Sequence, residues 1–279
     1  PRWFGEVLAV FEESRQPPRW KRHEPLMIST EFHARALRPI ADLQKSFMNP
    51  SWPGEILVGY VQGGLICEMI HEQHGMAKIN EMLEAYARGD DTRKVLRDVL
   101  KVSASAFDRT FMDWLAKRIE SAGVGPTFQG RHIDLLRERT EDEPNVGRHW
   151  VWLAAAYLAE KKVADAELAI GKAEKLDPEL ADLAAVKALL QLTENLTDKA
   201  LKSLSRAIDG DSIWSWRCRL LKADLLRKRG ETEAALKLLE EATAQAPTAT
   251  SSPVSNGSPW LQLATLQKDL DLNEQALDS

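Results

Sequence analysis

Metal-assisted hydrolysis asks for two histidines and a general-base glutamate on one helical face, and the chain offers one near match. His71-Glu72-Gln73-His74 has the residue types, but its histidines stand three apart, one position short of the H-E-x-x-H spacing that brings both to one metal. No H-E-x-x-H occurs anywhere in the sequence. Without that pair and its glutamate the chain alone cannot activate a water, and the segment reads as the charged, solvated end of a helix. His23, His33, His132 and His149 have no partner at ligand spacing. Cys67 and Cys218 fall in helical apolar patterns in different halves and read as two buried reduced thiols. The remaining chemistry sits in two places: the carboxylates Glu6, Glu12 and Glu13 on the first helix, and Tyr60 in Gly59-Tyr60-Val61-Gln62-Gly63-Gly64.

Those two segments carry a resemblance. Trp3-Phe4-Gly5-Glu6-Val7-Leu8-Ala9-Val10-Phe11-Glu12-Glu13 resembles the W-x-x-E-G-[LF]-A-x-[YF]-x-E helix of gluzincin metallopeptidases, with Val7 where that family has glycine. The resemblance implies that Glu6 is the third zinc ligand of a His2Glu site whose histidines come from an upstream helix. A carboxylate on a rigid, one-side-buried helix can be aimed at such a metal, with a fourth position left for water. Gly59 to Gly64 resembles the Y-x-[KQ]-G segment of the same family, which implies that Tyr60 donates a hydrogen bond to the oxyanion of a tetrahedral intermediate. The likeness covers roughly residues 1 to 120. It implies Zn²⁺ in a full-length parent, with the histidine ligands outside this chain, and no cofactor for the chain alone. Glu12 and Glu13 read as a solvated helix end rather than as groups that orient a metal shell.

The elements that would position these residues follow from apolar periodicity. Residues 2–14 form an amphipathic helix closed by Pro17-Pro18. Residues 15–54, punctuated by Pro25, Pro39, Pro50 and Pro53, read as loop with short helices, the clearest near Ile40 to Phe47. Ile56 to His74 is a long apolar helix closed by Gly75, Met76 to Ala87 a second closed by Gly89, and Thr92 to Leu100 a short third. Ser105 to Asp108 reads as a capping box opening an aromatic helix that runs to about Glu120. Gly123, Gly125, Pro126 and Gly130 mark a boundary. Strand signals are nearly absent, so the fold class is all-α.

After that boundary a pattern recurs. Trp150, Leu153, Ala154, Tyr157, Ala166, Ile170, Ala173 and Pro178 resemble the tetratricopeptide (TPR) repeat, with alanine for its glycine and isoleucine for its phenylalanine. Small residues at three fixed positions let two antiparallel helices approach while large ones fill the seam. The same positions return as Ala188, Ala200 and Ala207, as Ala223, Ala235 and Ala242 before Pro247, and as Trp260, Leu263, Ala264 and Ala276 after a polar insert at 248–258. The resemblance implies an α-solenoid. Its register puts Arg148, Val151, Ala155, Leu158, Asp182, Ala185, Leu189, Leu192, Arg217, Leu220, Asp224 and Arg227 on a concave face that takes peptide or protein partners. That face lacks the Lys/Asn set of chaperone-tail-binding members.

The bulk numbers fit. The 279 residues, 44% hydrophobic and 28% charged, can build two domains with packed cores. The net charge of -5 argues against a nucleic-acid partner, and no apolar run is long enough to span a membrane. The expected organisation is 1–122 as the C-terminal part of a gluzincin-like domain, 123–146 as a linker and connecting helix, and 147–279 as repeats (147–180, 181–214, 215–249 and a truncated 257–279). A chain that opens at Pro1 on a helix and stops within a repeat reads as a fragment of a longer protein. Two functions stay open: a fragment of a zinc peptidase whose repeats bind partners, and a non-catalytic interaction scaffold built on a degenerate peptidase-like domain.

Overall fold

The computed structural model describes residues 2–14, 24–128, 132–246 and 259–270. Expectations resting on Pro17-Pro18, His23, Gly130, Pro247, the insert at 248–258 and Ala276 lie outside them. Fifteen α-helices and no strand occur among the described residues, and none of these helices is long and apolar enough to cross a membrane. The chain divides into two compact units, Pro1–Ser121 and Ala122–Ser279.

The first unit contains α1 (Arg2–Ser14), α2 (Glu24–His33), a 3-10 turn (Ile40–Asp42), α3 (Gln44–Met48), α4 (Glu55–His74), α5 (Met76–Ala87), α6 (Thr92–Val95) and α7 (Ala104–Ala122). The apolar stripe of α1, Trp3, Phe4, Val7 and Phe11, joins one core with Leu65, Met69 and Ile70 of α4 and Phe107, Phe111 and Leu115 of α7. Residues Gln62 through Cys67 are buried in unbroken succession. A helix buried on every side is the central one of its unit, and α4 takes that place.

Three local expectations change. Residues 15–54 contain a full ten-residue helix, α2, opening at Glu24-Pro25. Proline is at home in a first turn, where no intrahelical N–H is lost, so Pro25 starts this helix and does not interrupt it. The cap of α7 is Ser103, whose Oγ accepts from the Ala106 N–H at 3.2 Å. Asp108, assigned above to a capping box, instead accepts from the Ile40 N–H at 2.9 Å and ties α7 to the 3-10 turn. The helix expected over Thr92 to Leu100 leaves α-geometry after Val95 and ends in a π turn, Leu96–Leu100, with Lys101 left-handed at φ 60°.

The second unit holds α8 (Ile133–Asp142), α9 (Gly147–Ala159), α10 (Val163–Leu176), α11 (Ala181–Thr193), α12 (Thr197–Asp209), α13 (Ser215–Lys228), α14 (Thr232–Gln245) and α15 (Pro259–Asp269). Helices α9/α10, α11/α12 and α13/α14 pack as consecutive hairpins. Their seams are alanine at matching positions. Ala154, Ala166 and Ala173, then Ala188, Ala200 and Ala207, then Ala223, Ala235 and Ala242 are all at most 1% exposed. The turn inside each hairpin needs one left-handed residue, and Lys161 (φ 59°), Asn195 (φ 61°) and Gly230 (φ 79°) supply it, 34 and then 35 positions apart (195 − 161 and 230 − 195). Cys67 and Cys218 are free and buried, and burial pushes both thiols up to about 12, so they stay protonated.

Candidate functional site

The two segments singled out by their resemblance meet. Tyr60, half-buried on α4, donates its hydroxyl hydrogen bond to Oε2 of Glu6, half-buried on α1, at 3.0 Å across 54 positions of sequence. The approach that allows this bond is made by glycine. A Cβ on Gly63 would lie 2.3 Å from Cγ1 of Val7, and one on Gly64 would lie 2.9 Å from Cγ1 of Val10. Val7 is therefore a knob seated in a glycine hole, and it is fully buried. The branched side chain of Val7 faces α4 and leaves Glu6 open to Tyr60. Phe47 holds the phenol from the side, its ring edge-on to Tyr60 at 5.0 Å.

The start of α4 is anchored by an ion pair between half-buried Arg38 and buried Glu55 that sequence reasoning missed. Glu55 takes Arg38 Nε at 2.5 Å, the Ser46 hydroxyl at 3.1 Å and the Ser51 N–H at 2.5 Å. Burial raises the Glu55 carboxyl, but the bonds from Arg38, Ser51 and Ser46 outweigh it and leave the group below its ordinary value. Gln62 adds a bond from Nε2 to the Arg38 carbonyl at 2.6 Å. The residue before the close-approach glycine thus fixes the same arginine from the other side. A run of arginine, serine and glutamate between prolines gives no signal of this kind in sequence.

The end of α4 is only partly solvated. Glu72, Gln73 and His74 are exposed, and Glu72 accepts from Trp114 Nε1 at 2.7 Å, whereas His71 is half-buried with its ring edge-on to Phe11 at 5.6 Å. Among the described residues no group of three or more His, Cys, Asp or Glu converges on a point that could hold a metal. A zinc centre takes at least three protein donors, so Glu6 by itself does not fit one. Glu12 is exposed.

In the second unit the residues assigned to a partner face divide sharply. Val151, Ala155, Asp182, Ala185 and Leu220 are buried, while Arg148 and Arg227 are exposed and Leu158, Leu189, Leu192, Arg217 and Asp224 are half-buried. Only the latter two groups offer surface. Asp182 is a structural hub: it meets Arg148 Nε at 3.2 Å and accepts from the Ser212 hydroxyl at 2.8 Å and the Ile213 N–H at 3.0 Å. One carboxylate thereby ties the starts of α9 and α11 to the turn before α13.

The stretch expected as a linker is packed. In the strap Gly123 to Phe128, Val124 and Pro126 are buried, and a Cβ on Gly125 would stand 1.8 Å from the Ile213 carbonyl oxygen and 3.0 Å from Trp216 Nε1. A Cβ on Gly123 would stand 1.8 Å from the Gln245 carbonyl oxygen, at the end of α14. Phe128 stacks on Trp214 at 5.0 Å, and Trp214 in turn meets Trp152 of α9 at 5.0 Å. The strap therefore runs from the third hairpin toward the first. Gly-x-Gly-Pro was the visible signal, legible as a close backbone approach as readily as a boundary. No protein-family model matches the chain, and no curated protein matches it.

Proposed function

We propose that residues 1–122 are the C-terminal part of a gluzincin-like zinc peptidase domain and that residues 147–279 are a TPR solenoid that binds protein or peptide partners. The observation that carries the first half is the 3.0 Å bond between Tyr60 and Glu6, since the two motif residues are met separately in sequence and face each other across α1 and α4. In this reading Glu6 is the one metal ligand that this chain supplies, and Tyr60 is the donor for an oxyanion developing on the substrate. The matching buried alanines of three hairpins support the second half. The chain by itself hydrolyses nothing, because it carries neither the histidine pair nor the general base. In the longer protein that includes them, Tyr60→Phe is expected to cut turnover of a fluorogenic peptide roughly 10²-fold, the usual effect of losing one oxyanion donor. Unchanged turnover in Tyr60→Phe would remove the catalytic role.

The second reading, a non-catalytic interaction scaffold, is favoured by one observation: among the described residues no group of three or more His, Cys, Asp or Glu comes together to hold a metal. It is distinguished by the longer protein showing no hydrolysis and no metal while still retaining partners.

A further inference from the structure

The arginines of the hairpins end on carboxylates. Arg148 meets Asp182 at 3.2 Å, Arg206 meets Glu179 at 2.7 Å, Arg219 meets Glu241 at 3.6 Å, Arg227 meets Asp224 at 3.3 Å, and Arg229 pairs with Asp198. Arg217, the third residue of α13, is the exception. No carboxylate among the described residues pairs with it, and its Nε is buried with no hydrogen-bond acceptor. Its guanidinium lies over the Trp216 ring, with Cζ 4.6 Å from the centroid. The acidic side chains assigned to the same face are already engaged, Asp182 by Arg148, Ser212 and Ile213, and Asp224 by Arg227 and by Lys228 at 2.6 Å. The strap that reaches Trp216 through Gly125 brings no acid, since residues 123–128 contain neither Asp nor Glu.

Arg217 is half-buried, and a guanidinium whose Nε is buried without an acceptor or counter-ion is unfavourable, so it persists where something else requires it. Burial lowers the Arg217 pKa to about 10, which leaves the group charged at neutral pH. The indole under Cζ holds the group in place, and the surface that the half-buried side chain keeps can take a planar, two-oxygen acceptor. We propose that Arg217 on its Trp216 platform is an anchor for an Asp or Glu side chain within an extended segment of a protein partner. The inference rests on the reading that the hairpins bind peptides.

The test titrates the full chain with fluorescein-labelled, C-amidated (Glu-Ala)5 and (Gln-Ala)5 by anisotropy at low salt. The expected result is that the glutamate peptide binds about 10-fold more tightly than the glutamine peptide, that Arg217→Met abolishes the difference, and that Arg206→Met, an already paired arginine, keeps it. Thermal unfolding of Arg217→Met is expected at or above the wild-type midpoint, where a purely structural arginine would lower it. Equal binding of both peptides overturns the anchor while leaving peptide binding by the hairpins intact, and binding of neither overturns both. A (Gln-Ala)5 with a free C-terminus that regains the lost affinity would assign the site to a chain end and overturn the side-chain assignment.

Discussion

The two units use small residues differently. In the hairpins, alanine returns at the same three places of each repeat, and every copy is buried between paired helices. In the first unit a single helix, α4, carries glycines that each receive one particular neighbour: Gly63 takes Val7 and Gly64 takes Val10. The repeat spreads its close approach over many equivalent seams, so its register is overdetermined. The α1–α4 crossing depends on two neighbouring knobs in two neighbouring holes, and the Glu6–Tyr60 bond depends on that crossing. A repeated device builds a surface, whereas a device used once aims two side chains at each other.

Breaking each device in turn sharpens this contrast. The largest effect is expected for Ala200→Trp, which forces an indole into a seam position that is 0% exposed and should cost about 3 kcal/mol by overpacking. Denaturant unfolding measures it, with Lys202→Trp on the exposed side of the same helix as the control; equal stability of the two variants would discredit the seam. Gly63→Ala comes next, at about 2 kcal/mol, because its Cβ meets Val7 at 2.3 Å. Adding Val7→Ala should recover part of that loss, and a double-mutant cycle with no coupling would show that the two residues do not interlock.

The smallest expected change is a gain. Lys161 holds the left-handed turn position that Gly230 holds in the third hairpin. Lys161→Gly should therefore stabilise by roughly 0.5 kcal/mol, the relief of φ > 0 strain less the entropy of a more flexible unfolded chain, and Gly230→Ala should destabilise by about 1 kcal/mol. Thermal midpoints moving the opposite way at both sites would refute the equivalence of the turns.

What sequence revealed follows the same division. The alanines at 166, 173, 200, 207, 235 and 242 are legible because a period exposes them, and the helix α5 (Met76–Ala87) because its apolar residues keep one face. The α2 helix was hidden because proline in a first turn looks like proline in a loop. The strap was hidden because glycine and proline mark a tight passage against carbonyls as well as a flexible joint. The burial of Asp182 was hidden because a helical register assigns it a direction without revealing that Arg148, Ser212 and Ile213 all converge on it. The nearness of Glu6 and Tyr60 was not legible, since no local rule links positions 54 apart.

The central claim is that Glu6 and Tyr60 belong to one metal-hydrolase site completed by upstream helices, and zinc content tests it most directly. Elemental analysis of the longer protein is expected to give about one zinc per chain for the wild type and for Tyr60→Phe, and far less for Glu6→Gln. Zinc absent from the wild-type protein, or fully retained in Glu6→Gln, would contradict the claim and leave the interaction scaffold as the function of both units.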